Sequence, residues 1–419
     1  MLSTRVLRHI DFKNLWLGQA ISQLGDALYH LVFMFMVDRL TKDPVAVGGV
    51  MIIQALPLLI LSPFAGVLAD RVDRRKIMLW CDILSGLILL IAMGLVMSPI
   101  GLQLPVIFLV AGTLAVINTF FLPAKSAAIP RLVPTEDLAE ANGLSGATQS
   151  LMPMIGLASS ALILGAIEKA SPNLFFVVAL GINALSFVVS AYYVRKLPDL
   201  PIDRAGDPPH MMEDLRVGAR YVWHQPFVRT VYMMQLGISF FIAPFFMIYM
   251  QTNREWFDGR YRTLALIEVA FLAFMLLFML LVPRFKIRRP GPALVVDILL
   301  LGLFVLLMGN TRVLGWYVFW NALCGVVVPF GEVPTSTYIQ TVITDDVRGR
   351  VNSVNSIVRG GVYPFGILVF GALAGRLGLV GQYWLMGLGL MGSALIGLTC
   401  RDFWRAEMPA PQAEEAVSS

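Results

Sequence analysis

The chain has 419 residues, of which 57% are hydrophobic and 14% charged, with a formal net charge of +5. A soluble chain of this length carries roughly 25% charged residues, so a soluble globular protein is excluded, and so is any sizeable domain outside a membrane. The Lys and Arg cluster in loops rather than on a basic folded surface, which excludes nucleic-acid binding.

A membrane span needs about 20 predominantly apolar residues. Runs of that length fall at roughly 14–37, 46–69, 77–98, 104–124, 142–167, 173–194, 227–252, 263–283, 292–310, 313–338, 351–375 and 380–400. They predict an all-α membrane protein with twelve transmembrane helices and the lipid bilayer as its solvent. No small-residue cleavage site follows the first run, which is therefore read as a retained span. Pro57, Pro153, Pro244, Pro329, Pro334 and Pro364 lie within runs, where kinks are tolerated if neighbours satisfy the freed carbonyls. Cys81, Cys324 and Cys400 are widely spaced in apolar runs or at their ends, so no disulfide, metal or cofactor is expected.

Between the second and third runs stands Gly66-Val-Leu-Ala-Asp70-Arg71-Val-Asp73-Arg74-Arg75-Lys76. Its density of charge cannot lie in hydrocarbon and predicts a tight hairpin between two spans. With the N-terminus placed inside, 23 of the 32 Lys and Arg fall on the inner side. Eight fall outside (Arg39, Lys42, Lys169, Arg254, Arg260, Arg262, Arg312 and Arg376), and Arg359 lies within a span. This asymmetry puts both termini in the cytoplasm.

The one long polar connection, 195–225, holds four prolines and then an amphipathic stretch from Met211 to Trp223. It divides the chain into a six-span bundle over 1–194 and another over 226–400, followed by a cytoplasmic tail, 401–419. The halves look duplicated. Pro123 matches Pro334 and Pro153 matches Pro364, both at an offset of 211, while Asp82 and Phe12 have counterparts in Asp297 and Phe227.

The hairpin pattern Gly-x-x-x-Asp-Arg-x-x-Arg-[Arg/Lys], with twelve spans in two related halves, resembles the major facilitator superfamily of secondary transporters. Further pieces resemble its efflux branch of macrolide exporters, enterobactin exporters and lysophospholipid transporters. These are Leu24-Gly25-Asp26, Phe121-Leu-Pro123-Ala-Lys125, Leu132-Val-Pro134, Ala141-Asn-Gly-Leu144 and Val347-Arg-Gly-Arg-Val351. Two departures stand out. Asp73 replaces the usual Gly of the hairpin signature, and the exchanger pattern of the fifth span survives only as Pro153-x-x-Gly156, which counts against strict proton antiport.

Ionisable residues inside spans are costly and are functional candidates by default. Gln19, Gln23, Asp26 and His30 are spaced by four, three and four residues, which places them on one helical face. Asp26 lies twelve residues into its run, about 18 Å, and His30 is one turn further, in reach of proton exchange. Glu332 and Arg359 sit on the tenth and eleventh spans, where neighbouring helices can bring them together as an ion pair that lowers the cost of both. Glu268 lies nearer the outer face as an outer-gate or site residue. Asp82 and Asp297, beside basic loops, are expected to be structurally paired. Asn118, Gln149, Tyr232, Gln235 and Asn321 can serve substrate or helix–helix contacts equally well.

In the family this chain resembles, the hairpin Asp meets the inner end of the eleventh span. Asp70, with Gly66 allowing close approach and Arg71, Arg74 and Arg75 beside it, is thereby expected to latch the inner gate. The leading reading is an inner-membrane exporter of an amphipathic organic compound, drug-like or siderophore-like, coupled to protons. The alternative is a lysophospholipid flippase without proton coupling. A monomer is expected, and no enzyme signature is present.

Overall fold

A computed structural model of the chain describes residues 5–98, 103–168, 172–200 and 211–408. The side chains of His30 and Asp70 lie outside the described set, so the contacts expected of them are not on view. The described residues contain helices and no strand.

In the first half the helices are α1 (Ile10–Thr41), α2 (Pro44–Arg71), α3 (Arg74–Met97), α4 (Leu104–Leu132), α5 (Leu138–Glu168) and α6 (Pro172–Arg195). The amphipathic stretch forms α7 (Met211–His224). The second half holds α8 (Pro226–Ile242), α9 (Phe245–Trp256), α10 (Tyr261–Leu281), α11 (Pro290–Gly309), α12 (Leu314–Val342), α13 (Asp345–Leu395) and α14 (Arg401–Arg405). Ten stretches among the described residues are long and apolar enough to cross a membrane. One of them, Gly349–Thr399, carries the last two predicted runs, which meet at Gly378. There φ is +62°, a left-handed conformation that glycine adopts without a Cβ clash. Another, Pro226–Trp256, is interrupted at Ala243–Pro244, so the expected proline kink is a break between α8 and α9.

The charged hairpin is more helical than its composition suggests. α2 runs through Asp70 to Arg71, and α3 starts at Arg74, which leaves only Val72 and Asp73 as the turn. Three cations in the first turn of α3 oppose the positive end of its dipole. Asp73 offsets this by capping the helix, accepting from the Arg75 backbone N–H at 3.0 Å. The acid that replaces the signature's usual glycine thus has a local structural role. A Cβ on Gly66 would meet no described atom within 4 Å.

The chain packs as two compact units, and the division does not follow the sequence halves. Unit 1 comprises Met1–Met211, Pro244–Val269 and Ile367–Leu379, and unit 2 comprises Met212–Ala243, Ala270–Gly366 and Val380–Ser419. In unit 1, α6 packs on both α1 and α3, α2 packs on α4, and α1 packs on α5. Its cation-rich end is closed by an apolar cluster that includes Phe12, Leu15, Met78, Ala124 and Val194. In unit 2, α11 packs on α12. The linker helix α7 joins it at the start of α13, where a Cβ on Gly218 would come within 2.5 Å of the Arg350 carbonyl oxygen.

The sequence correspondences land on equivalent features. Pro123 and Pro334 are interior to α4 and α12, and Pro153 and Pro364 to α5 and α13. Phe12 and Phe227 are both buried, as are Asp82 and Asp297.

Candidate transport site and gates

Asp26 stands at the centre of α1, with accessible surface. An ionisable group at that depth keeps accessible surface only where water reaches it. Its described partner is a single amide: Asn183 Nδ2 on α6 donates to Asp26 Oδ1 at 3.3 Å. The Ser186 hydroxyl holds that amide, donating to Asn183 Oδ1 at 3.1 Å and to the Asn183 carbonyl at 2.8 Å. Gly25 makes room for both, since a Cβ there would lie 2.2 Å from Ser186 Oγ and 2.6 Å from Asn183 Oδ1. On the other flank α5 presses against α1, because a Cβ on Gly156 would meet Leu24 O at 2.9 Å and Ala27 Cβ at 2.5 Å. What remains of the exchanger pattern therefore seats α5 beside Asp26. Gln23 Oε1 is buried with no hydrogen-bond partner, a turn away from Asp26 on the same helix. Sequence reasoning missed Asn183. It is an asparagine in an otherwise apolar run, and only the register of α6 on α1 gives it meaning.

The second polar centre belongs to unit 2. Arg359 NH2 on α13 donates to Glu332 Oε1 on α12 at 2.5 Å, as the sequence placement anticipates. The side chains are 46% and 47% exposed, so this pair lines water rather than sitting in a sealed helix contact. Gln235 of α8, with its amide oxygen turned toward Arg359, accepts from it at 2.5 Å and donates to Asn355 Oδ1 at 2.8 Å. Three helices thus converge on one guanidinium. Tyr232, one turn before Gln235, points its hydroxyl at the Val351 carbonyl, 3.5 Å away. Asn321 is fully buried, whereas Asn118 and Gln149 are exposed. Glu268, on α10 in unit 1, is partly exposed and makes no ion pair among the described residues.

Asp82 and Asp297 do not meet the cations expected of them. Asp82 Oδ2 accepts from the Ser190 hydroxyl at 2.7 Å, and Asp297 Oδ1 has no partner. Both are buried, and neither has an ion pair among the described residues. The neighbouring basic loops stay at the polar boundary, where long side chains remain hydrated.

At the face opposite the charged hairpin, unit 1 is closed by a dense block that hydropathy alone did not single out. Phe35 of α1, Phe175 of α6 and Tyr261 of α10 form an edge-to-face cluster with centroids 5.0–6.0 Å apart. All three are buried, as are Met247, Ile248, Tyr249 and Met250 of α9. Within the block Arg254 of α9 hydrogen-bonds to Asp38 of α1, whose side chain is 7% exposed. Sequence reasoning counted Arg254 only as an outer cation. The available signal was positional: the two residues are 254 − 38 = 216 apart, close to the repeat offset, and each ends the first span of its half.

On the hairpin side, Arg75 NH1 donates to Asp199 Oδ1 at 2.8 Å and its NH2 to the Arg195 carbonyl at 2.7 Å, fastening α3 to the segment after α6. Arg74 Nε donates to the Ala69 carbonyl at 3.3 Å, and Arg71 is exposed.

Residues 15–367 match the Major Facilitator Superfamily. The chain belongs to that family. It is a multi-pass membrane transporter and not an enzyme. Macrolide efflux protein A of Streptococcus pyogenes is 24% identical over 395 residues, covering 92% of this chain and 94% of that protein. The fold is shared with the nucleoside transporter NupG at a TM-score of 0.69 and 13% identity, over 94% of this chain and 99% of that one. It is also shared with a bacterial homologue of the iron transporter ferroportin in an inward-facing state, at a TM-score of 0.69 and 14% identity, over 93% and 98%.

Proposed function

We propose that this superfamily member is an exporter of an amphipathic organic compound, driven by protons that load and leave Asp26. The observation that carries the reading is the mid-helix carboxylate of Asp26, on an exposed residue and held, among the described residues, by an amide and by no cation. A carboxylate without a compensating charge at that depth is costly when ionised. Binding and releasing a proton is the chemistry it is placed to perform, with His30 one turn away as the expected exchange partner. Glu332 and Arg359, already neutral as a pair, suit the other task of orienting polar groups of a substrate, whose apolar body adaptable Met and Phe side chains of the spans would accept. The efflux protein named above supports the export direction.

In this reading alternating access uses two gates. Asp38–Arg254 and the aromatic block close the outer side. Asp70, with Gly66, Arg71, Arg74 and Arg75 beside it in the hairpin, latches the inner side. Replacing Asp70 with Asn should raise the labelling rate of reporter cysteines on the cytoplasmic side; equal labelling in both proteins would remove the latch from the account. The charge asymmetry of the loops supports cytoplasmic termini, and this reading takes the protein to be a monomer of a bacterial inner membrane.

The test is uptake into proteoliposomes under an imposed pH gradient, with an amphipathic drug, a catecholate siderophore and a lysophospholipid offered side by side. Gradient-driven movement of the drug or the siderophore is the expected result. Proton-independent movement of the lysophospholipid alone would replace this reading with a flippase.

A further inference from the structure

Unit 2 contains a cleft that no part of the transport reading uses. It has a volume of about 440 Å³ and lies where α7 ends, α8 begins and the chain leaves its last span. The residues that give it chemical character are Trp223, Arg229, Met233, Ile396, Arg401 and Asp402. Its depth follows from the helix boundaries. Pro226 is the first residue of α8 and Thr399 ends the last apolar stretch, so the cleft opens at the level where hydrocarbon gives way to headgroups.

Three features are built into it. Arg229 is held in place, its Cζ 5.4 Å from the centre of the Trp223 ring and its NH1 donating to the Trp223 carbonyl at 3.2 Å. That leaves most of the guanidinium donors uncommitted. Arg401 is exposed and makes no ion pair or hydrogen bond among the described residues. Met233 in the lining is 45% exposed, and Leu236, one turn further along α8, and Leu395, next to the lining residue Ile396, are 37% and 55% exposed, an apolar rim on the span side of the two cations. The Trp223 side chain is 62% exposed beside them, the usual setting of an interfacial tryptophan.

Two guanidiniums above an exposed apolar strip match an amphipathic anion better than a soluble one. Arginine binds phosphate oxygens through paired N–H groups, and basic pockets between spans on the cation-rich side of a membrane protein take phospholipid headgroups. The charged residues of the lining, two arginines and one aspartate, sum to +1, which matches one phosphodiester. The Asp402 carboxylate has a use in the same arrangement, as acceptor for hydroxyl groups on the headgroup.

We infer that this cleft binds the headgroup of phosphatidylglycerol, with Arg229 and Arg401 on its phosphate, Asp402 on its glycerol hydroxyls and the acyl chains along Met233 and Leu236. An ethanolamine headgroup leaves the +1 uncompensated, and free phosphate makes no use of the apolar rim.

The experiment titrates the delipidated full-length protein in detergent with dioctanoyl phosphatidylglycerol, dioctanoyl phosphatidylethanolamine or inorganic phosphate, reading bound lipid by native mass spectrometry and the unfolding temperature in parallel. Phosphatidylglycerol should bind at least 5-fold more tightly than phosphatidylethanolamine and raise the unfolding temperature, while phosphate leaves it unmoved. The variant Arg229→Gln/Arg401→Gln should lose at least 5-fold in that affinity. Should the double variant fail to fold, Arg401→Glu, at an exposed position, should show the same loss alone. Equal binding of the two lipids, a response to phosphate matching that to phosphatidylglycerol, or unchanged affinity in the arginine variants would each overturn the assignment.

Discussion

The two polar centres in the spans handle charge in opposite ways. In unit 2 Glu332 is neutralised by Arg359, which Gln235 steadies from a third helix while its amide N–H is held by Asn355 of α13. In unit 1 Asp26 has a single amide partner at 3.3 Å and no cation among the described residues. A compensated pair keeps its net charge through a transport cycle, because the guanidinium does not titrate. A lone carboxylate can change its charge by binding a proton, and proton coupling needs that freedom. The contrast assigns a shuttling role to one centre and a holding role to the other.

Variants at these centres should separate the roles. Asp26→Asn carries the largest expected effect, a fall of gradient-driven transport to background with expression unchanged. Arg359→Gln and Glu332→Gln should each reduce transport by about ten- to a hundredfold, since either removes a charged group that orients the substrate. The charge-swapped pair Glu332→Arg/Arg359→Glu asks whether the centre is a bridge or a binding site. Normal transport by the swap would reduce it to a bridge, whereas continued loss with a restored unfolding temperature would keep it as a site.

The outer ion pair should come next. Removing one partner of a buried pair costs about 3–5 kcal/mol, so Arg254→Gln or Asp38→Asn should raise the reactivity of reporter cysteines placed beside Phe35. Replacing both with apolar residues of similar size should restore protection, because the aromatic block can close without charge. Failure of the single variants to raise reactivity would take this pair out of the gate.

The smallest effect belongs to the hairpin cap. Loss of an N-cap costs about 1 kcal/mol, so Asp73→Ala should lower the unfolding temperature by a few degrees while sparing transport. A large transport defect without destabilisation would move Asp73 from structure to gating.

Much of the fold was legible because hydrocarbon imposes a length and a composition on every span. The runs, the charged hairpin and the duplicated prolines all carry that imprint, and the Glu332–Arg359 pair followed from two costly charges on consecutive spans. Three features were not legible. Asn183 looks like ordinary helix-packing polarity until α6 is placed in register against α1. Asp38 and Arg254 are 216 residues apart and end their apolar runs, where hydropathy reads both as loop charges. Asp82 and Asp297 were expected to find cations in the adjacent loops, yet they point inward to a hydroxyl in one case and to no partner in the other. Periodicity gives the face of a helix, but the azimuth of one helix against another is set by small-residue contacts such as Gly25 on Ser186 and Gly156 on Ala27.

The assignment of the proton to Asp26 is tested most directly in proteoliposomes holding wild-type or Asp26→Asn protein, assayed for both gradient-driven transport and substrate counterflow. The account predicts that the variant retains counterflow, which needs only substrate binding and alternating access, and loses the response to the pH gradient. Gradient-driven transport at the wild-type rate in Asp26→Asn would contradict it.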